Sequence, residues 1–484
     1  MRKFVARLCL FCLLLVGVLP NVGCKKMPKT YTRYEITAEY SPENRTVAGT
    51  VKVVFQNGTE NALSALKFQI HGNAYRENAL YSPISIGYRD SAYYAGASYG
   101  ETSVLSVNGS KGWEIVGEDE NILQVELMEL LYPEDKVVLD ISFLTKLATV
   151  AHRTGIAKNT VNLGNFFPIL CGYRADGFYE TVYSSVGDPF YSDVADYKVR
   201  LLLPKEYEVA ATGIAEEERV LESKKVCAMS AENVRDFAIV LSEKYRVMHA
   251  VSGGTELFYY YYADKDAPAT FDVIKESFAY YERAFGEYPY ESYTVAETGF
   301  CYESTEYPRL TMLSDRLTGV ERVRAVAHET AQQWWYAVVG SDGVENAWQD
   351  EGLSAYSAIT FFENHPKYGI LREDAVTSAL KEYRSYYDVY GSVLGRTDTR
   401  MTRRLSEYVS EYEYRCLNYD KAVILFDTLR KSVGDKKFFA GLRRYYDSNR
   451  YKMASVGSLI GAFEKTGVDV QGLFDGFLSG KGIL

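Results

Sequence analysis

His328 and Gln332 stand four positions apart in Ala327-His328-Glu329-Thr330-Ala331-Gln332-Gln333-Trp334-Trp335. On a helix that spacing brings two side chains to one face. With histidine at both positions and glutamate after the first, such a face holds Zn²⁺ and the glutamate acts as general base toward a metal-bound water. Here the first histidine and Glu329 are present, and the second ligand position is Gln332. A carboxamide can offer a metal only its neutral oxygen, a poorer donor than imidazole. Glu351, in Trp348-Gln349-Asp350-Glu351-Gly352, follows Gln332 by nineteen positions and adds a carboxylate.

The elements that must position these residues are legible from periodicity. Val323, Ala327, Ala331, Trp334 and Val338 form one apolar stripe at helical spacing, which predicts a helix over 321–339 with His328 and Gln332 beside the stripe. Trp334-Trp335 reads as core packing. A second helix, predicted over 352–364 directly after Glu351, carries that carboxylate toward the first. Residues 268–285 read as a further helix, 259–262 as a short aromatic strand, and the chain from Ala422 onward as mostly helical with breaks at Gly434 and Gly467. Before Gly253-Gly254 the pattern differs. Tyr34, Ile36, Ala38 and Tyr40 alternate with polar residues, as do Tyr197, Val199, Leu201 and Leu203, so residues 29–250 read as a large antiparallel β-sandwich.

Composition excludes some partners. The 484-residue chain is 47% hydrophobic and 24% charged, as expected of a folded protein with two or three domains. Its formal net charge of −10 excludes a nucleic-acid partner, because nothing here neutralises a run of phosphates. Arg2, Lys3 and Arg7 precede the apolar run Leu8–Leu19, the layout of an export signal over residues 1–24. Twelve apolar residues are too few to span a bilayer, which takes about 20. Val22-Gly23-Cys24 resembles a bacterial lipoprotein cleavage box, although Asn21 departs from its usual leucine-like position; the expectation is an extracytoplasmic protein lipid-anchored at Cys24, with simple secretion as the alternative. Cys171, Cys227, Cys301 and Cys416 show no ligand or disulfide spacing and read as buried thiols.

Four segments, in order, resemble the gluzincin zinc aminopeptidase family that includes alanyl aminopeptidase and leukotriene A4 hydrolase. They are Gly187-Asp188-Pro189-Phe190-Tyr191 through Tyr197; Glu306-Tyr307-Pro308, similar to the end of a G-x-M-E-N loop; the His328-Glu329 helix with Trp348 through Gly352; and Tyr419-Asp420-Lys421-Ala422, similar to Y-x-K-G. The resemblance runs from about residue 30 to the C-terminus. It implies an α+β fold, with the β-sandwich followed by a thermolysin-like, mainly α-helical catalytic domain over 251–484. It also implies one zinc ion on His328, Glu351 and the position of Gln332. Glu329 would be the general base and Tyr419 a donor to the developing oxyanion. Glu306 would hold the substrate's free α-ammonium, so that peptides are trimmed from the N-terminus.

Departures accompany the match. Gln332 weakens the metal site, and Glu303-Ser304-Thr305 replaces the Gly-x-Met part of the substrate loop. Only 65 residues follow Tyr419, which leads us to expect no helical cap domain and a more open cleft. Two functions stay open: a zinc aminopeptidase with a weakened metal site, and a non-catalytic descendant that binds peptides or partners through the same cleft.

Overall fold

The computed structural model describes residues 30–395 and 397–480; the expected export signal and Cys24 lie outside the described residues. Alternating burial along Thr32–Ser41 confirms the period of two: Tyr34, Ile36, Ala38 and Tyr40 are buried while their neighbours face outward. This strand lies inside a seven-stranded sheet, paired with Thr46–Gln56 on one side and Ala195–Pro204 on the other. A four-stranded sheet containing Leu63–Gln69 and Ile122–Leu131 shares its core, where Phe68 and Val125 join Val51 and Ile141. One pairing departs from the antiparallel expectation. Thr32–Ser41 and Ala195–Pro204 run parallel, with Tyr34 opposite Tyr197 and their rings stacked at 4.8 Å. Alternation within a strand reports its buried face but not the direction of its neighbour, so the sequence did not show this.

The second half opens with a five-stranded mixed sheet: Arg246–Ser252, Thr255–Tyr261, Ser292–Thr298, Leu310–Ser314 and, at the edge, Ser304–Tyr307. Gly253 and Gly254, where the pattern changes, form the turn of its first hairpin at φ of 60° and 95°, conformations glycine adopts without strain. The motif helix spans Gly319–Gln332 and then widens into a π-helical turn, Gln333–Val338, instead of running unbroken to Val339. Glu351 lies inside the first turn of the helix Trp348–Asn364, rather than ahead of it. Two carboxylates, Asp350 and Glu351, suit that position because the first turn presents unpaired N–H groups and the positive end of the helix dipole.

Trp334, Trp335 and Trp348 are fully buried, and the indole N–H groups of Trp334 and Trp335 donate to the Gly286 carbonyl and the Ser357 hydroxyl at 2.9 Å each. Gly352 packs against the helix Lys421–Val433: a Cβ built there would sit 2.4 Å from Ala422 Cβ. That close approach draws Glu351 toward Tyr419. Cys171, Cys227, Cys301 and Cys416 are buried and unpaired. Among the described residues, no helix is long and apolar enough to cross a membrane.

Candidate functional site

All six residues singled out from sequence converge. His328, Glu329, Glu306, Glu351 and Tyr419 line one cavity of about 730 Å³, and Gln332 is fully buried directly behind it. The motif helix brings His328, Glu329 and Gln332; the helix Trp348–Asn364 brings Glu351; the edge strand Ser304–Tyr307 brings Glu306. Tyr419 comes from a second π-helical turn, Cys416–Asp420. Such turns push one side chain out of helical register.

Three side chains meet at the would-be metal position. His328 Nε2 lies 3.1 Å from Glu351 Oε2, and Gln332 Nε2 lies 3.5 Å from His328 Nε2 and donates to Glu351 Oε2 at 2.9 Å. The Gln332 oxygen points the other way and accepts from Ser354 Oγ at 2.8 Å. A catalytic zinc site takes three protein ligands and keeps a fourth position open. Here only His328 and Glu351 present lone pairs, because the third vertex is an N–H₂ group. Among the described residues no group of three His, Cys, Asp or Glu is arranged to hold a metal. The donor set as folded does not fit zinc.

The cavity wall is crowded with acids. Burial, and then the neighbouring charge of Asp188, push the Glu351 carboxyl up to about 8, while the Tyr419 hydroxyl bonded to it pulls the other way. Burial holds Glu329 up at about 7, against the stabilising influence of His328 and of Ser304 Oγ, which donates to Glu329 Oε1 at 2.8 Å. The second Glu329 oxygen is buried with no partner. Glu306 is raised well above the usual carboxylate range by burial and by Asp188, Glu329 and Glu351. Among the described residues it forms no ion pair. Two arginines of the cavity wall are committed to other groups: Arg153 pairs with Asp188 and donates to Thr305 Oγ1 at 3.1 Å, and Arg415 pairs with Glu303 at 3.1 Å. Tyr419 stacks on His328 with centroids 5.6 Å apart, and the Arg415 guanidinium lies 5.6 Å from the centre of the Tyr419 ring. Apolar side chains also line the cavity, among them Ala355, Ile359, Phe362, Ile370 and Val423.

Four functional neighbours were not singled out from sequence. Asp188 sits in a quoted segment, but nothing local marks it as part of the cavity. Arg153 and Ser304 reach the site only through the fold. Ser354 had a readable signal, since it lies three residues after Glu351 and therefore on the same helical face.

A β-sandwich leading into a helical half, with a His-Glu helix facing a carboxylate on the next long helix, defines the gluzincin scaffold. Residues 270–477 match the Peptidase family M1 domain, a likeness that supports the resemblance to the gluzincin aminopeptidases. Aminopeptidase 2, mitochondrial, of Saccharomyces cerevisiae is 24% identical over 219 residues, which is 42% of this chain and 22% of the yeast protein. The chain therefore matches less than a quarter of that relative's length. The M1 zinc metallopeptidase from Deinococcus radiodurans superposes with a TM-score of 0.66 at 17% identity, covering 94% of this chain and 96% of that one. A mutant of it bound to a Tyr-Ser-Ala substrate gives 0.62 at 16% identity, covering 93% and 94%. At that identity the likeness establishes the fold.

Proposed function

We propose that the cleft receives the free N-terminus of a peptide, as in an aminopeptidase-type member of family M1 whose metal position is taken up by Gln332. The observation that carries this reading is Glu306. It is a buried carboxylate facing the cavity, crowded by other acids and paired with no cation. Without a cation such a buried carboxyl holds its proton, and an arriving α-ammonium favours its ionised form through charge-assisted hydrogen bonds.

The test is titration of a fluorescent tripeptide into residues 25–484, once with a free and once with an acetylated N-terminus. At least tenfold tighter binding of the free form is expected. Equal affinity for the two would remove the reading.

A second reading, which requires the Gln332 amide to turn its oxygen inward, is slow, zinc-dependent trimming of N-terminal residues. It is favoured by the 3.1 Å separation of His328 Nε2 and Glu351 Oε2. Two ligands of one tetrahedral zinc ion lie about 3.3 Å apart, given bonds of about 2.0 Å. Turnover of an aminoacyl reporter that appears with added zinc and vanishes with chelator would establish it.

We also place the protein outside the cytoplasm, tethered through Cys24, on the basic-apolar-cysteine pattern of its first residues. Metabolic labelling with palmitate checks this: loss of label in Cys24→Ala is expected, and unchanged label would overturn it.

A further inference from the structure

We propose that the Gln332 carboxamide takes the part of a cation in this site, and that Ser354 is the positioning residue that keeps it turned that way. The three converging atoms form a triangle of 3.1, 2.9 and 3.5 Å whose vertices are His328 Nε2, Glu351 Oε2 and Gln332 Nε2. A metal would hold two such acceptors by standing between them. Here an N–H of Gln332 donates into the pair, so His328 and Glu351 are held in register by the chain itself.

The contact to Glu351 sets the orientation of the amide, and the Ser354 hydroxyl donates to the end that faces away. Rotated by half a turn, its oxygen would lie where Nε2 now does, 2.9 Å from a Glu351 oxygen, which sets acceptor against acceptor when that carboxyl is ionised. Its oxygen is instead satisfied by Ser354 Oγ at 2.8 Å, one helical turn beyond Glu351. Gln332 and Ser354 are both fully buried, so water cannot replace either contact. The consequence is a site that is complete without metal and resists it. Admitting zinc would require the amide to turn, a rotation that breaks its hydrogen bond to Glu351 and forces the Ser354 hydroxyl to change from donor to acceptor. This inference rests on the amide's orientation and is independent of what peptide the cleft holds.

The test measures zinc affinity by competition with a chromophoric chelator, together with thermal unfolding in zinc and in chelator, for the wild type, Gln332→His and Ser354→Ala. The wild type is expected to take up less than a tenth of an equivalent of zinc at micromolar concentration and to unfold at the same temperature in both media. Gln332→His should bind one equivalent and gain thermal stability with zinc. Ser354→Ala, which frees the amide oxygen to turn inward, should bind zinc at least tenfold more tightly than the wild type. Stoichiometric zinc on the wild type would overturn the proposal. So would a Gln332→His protein that unfolds cooperatively yet takes no zinc. An unchanged zinc affinity in Ser354→Ala would remove Ser354's part in it.

Discussion

Gln333 Nε2 donates to the Tyr307 carbonyl at 3.1 Å, which ties the motif helix to the edge strand that carries Glu306. The same side chain accepts from the Arg309 N–H at 2.8 Å and from the Tyr288 hydroxyl at 3.0 Å. Gln333→Ala would leave these buried groups without partners. A loss of about 2–4 kcal/mol is expected, read as a lower urea midpoint with unchanged slope. Peptide affinity should fall with it, since the strand bearing Glu306 loses its anchor.

Glu306→Gln separates recognition from folding. The variant keeps the shape of the side chain and removes its charge. Affinity for a peptide with a free N-terminus should drop by about 10- to 100-fold, the value of a charge-assisted hydrogen bond. Binding of the acetylated peptide should barely change. Isothermal titration with both peptides reads the difference.

Gly352→Ala probes the approach of two helices. The new Cβ would sit 2.4 Å from Ala422 Cβ and 3.3 Å from a Phe426 ring carbon. Neither contact can be relieved by rotating a flexible side chain, so the helices must separate. Overpacking of this kind costs about 1–3 kcal/mol. A lower melting temperature is expected, and an unchanged one would show that the gap between the helices is wider than described.

Asp236, which does not line the cavity, gives a pH dependence of stability. Burial pushes its carboxyl up to about 7 from the ordinary 3.8, only partly offset by the Phe237 N–H. The folded state therefore holds this proton more tightly than the unfolded chain. Its contribution to stability is complete below about pH 3.8 and is lost as pH rises through about 7. Asp236→Asn cannot ionise and should flatten that part of the stability profile, so that its deficit against the wild type shrinks between pH 5 and 8. Denaturant unfolding across that range measures it.

Much of the architecture was legible because it depends on local period. Alternation along Tyr34 to Tyr40 and the stripe from Val323 to Val338 are imposed by the pleat and the helical turn, and both halves of the fold follow from such patterns. The spacing of His328, Gln332 and Glu351 likewise required only that one helix face another. Spacing could not show that Ser304–Tyr307 is an edge strand. Its pairing with Leu310–Ser314 is a property of the sheet, and four residues are too short a run to announce it.

From the sequence alone came the family resemblance, the residue identities at the would-be metal position and the fact that one imidazole is missing there. What Gln332 does in that place was decided by tertiary structure. A carboxamide carries a donor and an acceptor on one carbon, so its chemistry at a site depends on which end faces in. That choice belongs to Glu351 and Ser354, which meet Gln332 only when their helix packs across the motif helix.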